Sequence, residues 1–159
     1  MAKRWIRQRT SSSCGPVALM NLKKWLDHSV SYARDFEYWK RKCRCKKYGT
    51  ALPDFVRALY SINDIKISPR TVPNIGIISE ALYQDKAVVM KSAYYTPQGL
   101  EGHYFLITDQ TDKSFFCVNL SGKHFWVSKS IFAVHWLQHH PNYCYECGVA
   151  PYCWIIRKI

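Results

Sequence analysis

The feature that most constrains this chain is the run from Gln8 to Leu26, where Ser11-Ser12-Ser13 leads into Cys14-Gly15-Pro16 and then into apolar residues at helical spacing. Proline sits comfortably in a helix only in the first turn, and serine is a favoured N-cap, so a helix is expected to begin at Cys14. Ala18, Leu19, Leu22, Trp25 and Leu26 recur three and four residues apart, which gives that helix a core face. A thiol is thereby fixed at the mouth of a buried helix. The unpaired N–H groups of the first turn and the positive end of the helix dipole favour a thiolate, which predicts a lowered pKa and a nucleophilic Cys14. Gly15 carries no side chain to block a substrate carbonyl, and the Gln8 amide with the Cys14 N–H is expected to form an oxyanion hole.

A nucleophile needs a base and a group that orients it. The stretch Gly102-His103-Tyr104-Phe105-Leu106-Ile107 offers the base, His103, at the start of an apolar strand-like run, with Gly102 joining Gly15 as a substrate-facing position. A second run, Phe115-Phe116-Cys117-Val118-Asn119, follows the polar turn Thr111-Asp112-Lys113-Ser114. A hairpin with its tip near Thr111 sets His103 opposite Asn119, with Cβ atoms about 5 Å apart. Asp109 is the rival orienting group, but six residues of strand at about 3.3 Å each put it some ~20 Å from His103.

These residues resemble those of papain-clan cysteine peptidases, most closely the small bacteriocin-processing (double-glycine leader) peptidases and their stand-alone relatives. The resemblance implies a nucleophile at Cys14 in CGPVALMN, a general base at His103 in GHYFLI, a third residue at Asn119 in FFCVNL and an oxyanion glutamine at Gln8. It extends to the segment Ile78 to Val89, similar to the helix and strand before the family's histidine, and to Trp126-Val127-Ser128 with Ile131-Phe132, similar to a late helix entry. Relatives commonly carry aspartate then proline at the third position, where this chain has Asn119-Leu120-Ser121.

A chain of 159 residues is expected to form one domain, 1–159, around a single sizeable core. Met1 to Trp5 lacks the apolar centre of a signal peptide and no stretch approaches the roughly 20 apolar residues of a membrane span, so a cytoplasmic, non-membrane protein is expected. Seven cysteines, an odd number, favour reduced thiols or metal ligation over a disulfide framework. Helices are expected at Cys14–Asp27, Tyr32–Lys42, Leu52–Tyr60 and Ile75–Gln84. Strands are expected at Ile65–Ser68, Ala87–Ser92, His103–Thr108, Phe115–Asn119, His124–Val127 and Tyr152–Ile156, with Tyr94–Glu101 a loop over His103. Helices first and an antiparallel sheet afterwards is an α+β, papain-like order.

The formal charge of +12 is concentrated in Lys40-Arg41-Lys42-Cys43-Arg44-Cys45-Lys46-Lys47 and in Lys3, Arg4, Arg7 and Arg9. No nucleic-acid reading motif accompanies the charge, so an acidic protein or peptide substrate competes with nucleic acid as its explanation. Cys43-x-Cys45 and Cys144-x-x-Cys147 have the makings of a structural zinc site, with His135, His139 and His140 as substitute ligands; free thiols or a redox pair at Cys144 and Cys147 are the competing reading. Cys117, inside a strand, reads as core. The expected function is a thiol hydrolase of peptide or isopeptide bonds with no catalytic cofactor, and the resemblance implies cleavage after a double-glycine or ubiquitin-like tail; a compact stand-alone version of the domain would suit a phage or virus. The alternatives are a catalytically silent basic binding module and a thiol acyltransferase or amidase.

Overall fold

The computed structural model describes residues 3–96, 99–138 and 151–159. Its helices and strands follow the chain as α1 (Cys14–Trp25), α2 (Tyr32–Lys42), α3 (Leu52–Tyr60), β1 (Ile65–Ile67), α4 (Ile75–Tyr83), β2 (Ala87–Thr96), β3 (Gly99–Gln110), β4 (Ser114–Val118), β5 (Phe125–Ser128), α5 (Lys129–Trp136) and β6 (Tyr152–Lys158). The helix boundaries have local causes. Ser31 caps α2 by accepting the Arg34 N–H while Asp35 accepts the Ser31 N–H, and Asn74 and Ser128 accept the N–H groups of Ile77 and Ile131 at the starts of α4 and α5. α1 stops because Asp27 turns left-handed at φ 68°.

The six strands form one antiparallel sheet in the order β1-β6-β2-β3-β4-β5. Alternation along β3 splits the core into two layers. Tyr104 and Leu106 face α1 and α3, in a cluster with Leu19, Leu22, Phe55 and Trp154; Phe105 and Ile107 face α4 and α5, in a cluster with Ile78, Met90, Phe115 and Phe132. Phe55 is fully buried and stacks on Tyr104 at 4.0 Å, burial that contributes about 2–3 kcal/mol for the side chain. The architecture is α+β, with N-terminal helices packed on the later sheet and α4 and α5 covering its second face.

One expectation fails here. Tyr94–Glu101 is not a loop: β2 and β3 pair without interruption from Val88↔Ile107 to Thr96↔Gly99, so most of the segment extends the hairpin. Pro97 and Gly99 signal a reversal, and the β-prone residues before them, Ala93-Tyr94-Tyr95-Thr96, continue the strand up to it.

An N-terminal arm leads into α1 and is strapped along it. Lys3 Nζ donates to the last carbonyls of the helix, Lys24 O at 2.8 Å and Trp25 O at 3.0 Å. The fully buried Asn21 pairs with the backbone of Ile6 through both ends of its amide, accepting from Ile6 N at 2.7 Å and donating to Ile6 O at 2.9 Å. This pairing satisfies a buried amide and fixes the path of the chain two residues before Gln8.

Candidate active site

Cys14 opens α1, and Ser13 at the N-cap does not close the helix end. Its hydroxyl donates back to Thr10 O at 2.9 Å, so the first-turn N–H groups of Cys14 and Gly15 remain directed at the sulfur. The sulfur also takes the backbone N–H of Tyr104. Pairing between β3 and β4 ends at Leu106↔Val118, and the thiol lies against the stretch of β3 beyond that point. His103 is the next residue. The backbone of β3 thus carries the donor to the thiol and the imidazole on adjacent residues.

The thiol is nevertheless buried, 6% exposed, and burial outweighs every other influence by pushing its pKa up. The Tyr104 N–H, the charge of Lys91 and the N–H groups of Gly15 and Cys14 pull it back down. The expectation of a lowered pKa is thus corrected: desolvation exceeds the helix-end effect, and Cys14 rests as a thiol. Lys91 is the charged neighbour of the thiol that sequence reasoning missed. It lies opposite Tyr104 on β2, 6% exposed, with its ammonium 5.4 Å from the Tyr104 ring centroid, and burial lowers its pKa to about 8. Its one visible signal is a lysine directly after the apolar run Ala87-Val88-Val89-Met90, in the same strand.

His103 is buried, between Phe105 at 5.8 Å and Trp136 at 6.3 Å between ring centroids. Ser92, its partner across β2, donates its hydroxyl to Trp136 O at 2.5 Å and fixes the end of α5 against the imidazole. The His103 Nε2 lies 2.6 Å from the backbone carbonyl of Asn119. A carbonyl only accepts, so Nε2 carries the proton and, in the neutral ring, Nδ1 carries the lone pair.

Asn119 is left-handed, φ 62°, a conformation asparagine tolerates better than most residues. The turn commits all four of its polar groups. Its N–H donates to His124 Nδ1 at 2.9 Å, its carbonyl accepts from His103, its Nδ2 donates to Gln8 Oε1 at 2.8 Å, and its Oδ1 accepts from Gln8 N at 3.3 Å. His124, also missed, is held below the ordinary histidine range by burial and by the charge of Arg7, which suits an acceptor nitrogen. The contact expected between His103 and Asn119 is present but differs in kind. The strand register is Leu106↔Val118 and not His103↔Asn119, and the main chain of Asn119, not its amide, holds the ring. A bulge between Ile107 and Asp109 shifts the pairing further, and Asp109 points elsewhere, accepting from Thr108.

Gln8 reaches the site through Asn119. Its carbonyl oxygen is taken there and one amide N–H goes to Thr10 O at 3.0 Å. The side of Gly15 where a Cβ would project is filled by Thr50, whose hydroxyl lies 2.7 Å from that position, so the missing side chain admits Thr50 and not a substrate carbonyl. Gly102 sits on β3 beside His103, paired with Ala93. Cys43 is fully buried in the α1-side core, and Cys45 donates its Sγ to Ser12 O at 3.2 Å. Cys144 and Cys147, the other half of the zinc expectation, lie outside the described residues, as do His139 and His140; His135 is exposed on α5.

No family profile matches the sequence, and no curated protein matches it. Solved structures do. The peptidase domain of Streptococcus ComA, a bifunctional ABC transporter of a quorum-sensing pathway, superposes with a TM-score of 0.68 at 15% identity, over 97% of this chain and 98% of that one. A double-glycine-motif protease from an AMS/PCAT transporter, solved with its leader peptide, gives 0.60 at 11% identity over 97% and 90%. A putative C39-like peptidase from Bacillus anthracis gives 0.61 at 12% over 99% and 96%. Across nearly its whole length, this chain has the fold of C39 double-glycine peptidase domains.

Proposed function

We propose that the protein is a cysteine peptidase that cleaves a peptide or isopeptide bond, with a preference for a carbonyl preceded by small residues such as a double glycine. The observation that carries this reading is the hydrogen bond from His103 Nε2 to the Asn119 carbonyl. It leaves Nδ1 as the basic nitrogen of His103, on the residue next to the Tyr104 whose N–H holds the Cys14 thiol, and supports the pairing of the two. Nδ1 takes the thiol proton, the sulfur attacks the carbonyl, and the first-turn N–H groups with the Gln8 amide receive the oxyanion. The protonated imidazole then donates to the leaving amine, and water, deprotonated by the same nitrogen, releases the acid and restores the thiol. No metal or cofactor is assigned to these steps. The likeness to C39 domains supports a peptide with a double-glycine ending as substrate, and we assign the protein to the cytoplasm; no helix of the described residues is long and apolar enough to cross a membrane.

The test is an activity-directed probe, a peptide ending in Gly-Gly vinyl sulfone, followed by intact-mass analysis. One adduct per chain is expected, on Cys14, and none in Cys14→Ala. Labelling spread over several cysteines, or unaltered in Cys14→Ala, refutes the reading. Product analysis with added amine separates hydrolysis from acyl transfer.

A further inference from the structure

The cations of the 40–47 block occupy the end of α2 and the loop after it, and the fold brings that loop against the site. Cys45 bonds to Ser12 O, two residues before Cys14, Lys40 acts electrostatically on Cys45, and Thr50 packs on Gly15. From this contact the charge runs outward into a depression of about 420 Å³ lined by Tyr38, Arg41, Lys42, Arg44 and Arg57. A single carboxylate, Asp54, answers it, at 3.2 Å from Arg57 and 3.7 Å from Arg44. Among the described residues no carboxylate pairs with Lys40, Arg41, Lys42, Lys46 or Lys47. Like charges this dense repel one another, a cost that a polyanionic ligand relieves.

Two kinds of polyanion fit the charge. Nucleic acid stacks its bases on open aromatic faces, and Tyr48, 94% exposed, offers one, while Tyr38 stands edge-on to Trp39. The continuity of the strip with the thiol decides the matter. A polypeptide whose scissile bond lies at Cys14 crosses Ser12 and Cys45 and meets these cations without leaving the surface, whereas nucleic acid has no use for a neighbouring thiol. We propose that the strip is an exosite for an acidic stretch of the polypeptide substrate, to one side of the cleaved bond. This rests on the peptidase reading and adds a substrate class to it: proteins with a carboxylate-rich segment near the cleavage point.

Binding and cleavage test it separately. Full-length Cys14→Ala protein is titrated with a fluorescein-labelled twelve-residue peptide containing six glutamates, with its glutamine counterpart, and with a twelve-nucleotide oligothymidine. The acidic peptide is expected to bind about tenfold or more tightly than the glutamine peptide at 50 mM salt. That advantage is expected to vanish at 500 mM salt, where the Debye length falls to about 4 Å, and in the quadruple variant Arg41→Gln, Lys42→Gln, Arg44→Gln, Lys46→Gln. Equal binding of the two peptides, an unchanged advantage in the variant, or tighter binding of the oligothymidine overturns the proposal. In cleavage, a Gly-Gly fluorogenic peptide carrying the glutamate tract should show a KM about tenfold below that of the neutral peptide, and the ratio should collapse to one in the same variant. If the peptide binds as expected and nothing is cleaved, the exosite stands and the peptidase reading falls; cleavage with a ratio of one in the parent does the reverse.

Discussion

Cys14 and Cys117 are both buried cysteines in one small protein, and their surroundings differ in a single respect. Cys117 lies in the middle of β4 among Phe105, Phe115 and Phe132 of the α5-side core, and burial alone pushes its thiol far above the ordinary range. Cys14 is desolvated as well, but three backbone N–H groups and the Lys91 ammonium face its sulfur. Burial without polar groups makes a thiol inert. Burial with fixed donors gives a thiol that is protonated at rest and whose ionised form has a prepared place, which the proposed proton removal by His103 would use.

The comparison breaks most directly at the reacting groups. Cys14→Ala should abolish cleavage, a loss of at least ~10⁴-fold, and leave the melting temperature within a few degrees, whereas Cys117→Ala should leave cleavage intact; steady-state kinetics on both variants check this. His103→Ala should cost about 10²–10⁴-fold, the range of a lost general base, with far-ultraviolet circular dichroism unchanged.

Lys91→Met sharpens the comparison by making Cys14 resemble Cys117. Alkylation of Cys14 by iodoacetamide at pH 7.5 should slow, because one of the influences that hold its thiol pKa down is removed, while the rate at Cys117 stays as it was. Stability should move the other way. The folded pKa of Lys91 is about 8 and the unfolded value about 10.4, so the folded state carries its full desolvation penalty below pH 8 and is relieved of it as pH rises toward 10.4. The variant should therefore melt no lower than the parent below pH 8, and any advantage should fade above it. A large drop in melting temperature at neutral pH would make Lys91 a packing residue.

Asn119→Ala should reduce the rate about tenfold, less than His103→Ala, because the carbonyl that holds the imidazole belongs to the main chain. The loss comes from αL strain of about 1 kcal/mol and from the lost tie to Gln8. Asn119→Gly removes the strain and keeps the carbonyl, so it should recover part of that loss in kcat; an equal loss in both variants would assign the whole effect to the tie.

The smallest effect lies in the alkaline limb. Cys117 is pushed up further than Cys43 and Cys153, which are pushed up to about 12, so the stability they lend is complete below about pH 8.5 and is lost as pH rises above it, where the unfolded chain ionises first. Cys117→Ala should cost about 1 kcal/mol at pH 7 and flatten the fall in melting temperature between pH 9 and 10.5.

Much of this was legible in the sequence because local rules and the fold agree. Tyr32–Lys42 and Leu52–Tyr60 are helices to the residue, since Ser31 caps the first, Pro53 sits in the first turn of the second and apolar spacing runs through both, and Cys14 begins its helix where Pro16 requires. What was not legible depends on partners far away in the chain. A lysine in a strand reads as a residue facing water, and only the tertiary packing that brings Cys14 and Tyr104 beside it makes Lys91 a buried cation. Gly15 read as an opening, and only the return of Thr50 fills it. Asn119 was found by its type, yet its work is done largely by a carbonyl that every residue possesses, so the signal that mattered was its tolerance of a left-handed turn.

The tie between Gln8 and Asn119 also bears on the order in which the molecule becomes active. It joins residues 111 positions apart, and closing so long a loop comes late in folding relative to the helices and hairpins between them. A chain that has formed α1 but not yet docked β4 carries its cysteine without an aligned imidazole. On the peptidase reading proposed above, the chain would then acquire its chemistry at the last step of its own assembly, and its half-folded copies, the species most exposed to one another, would have no means of cutting their neighbours.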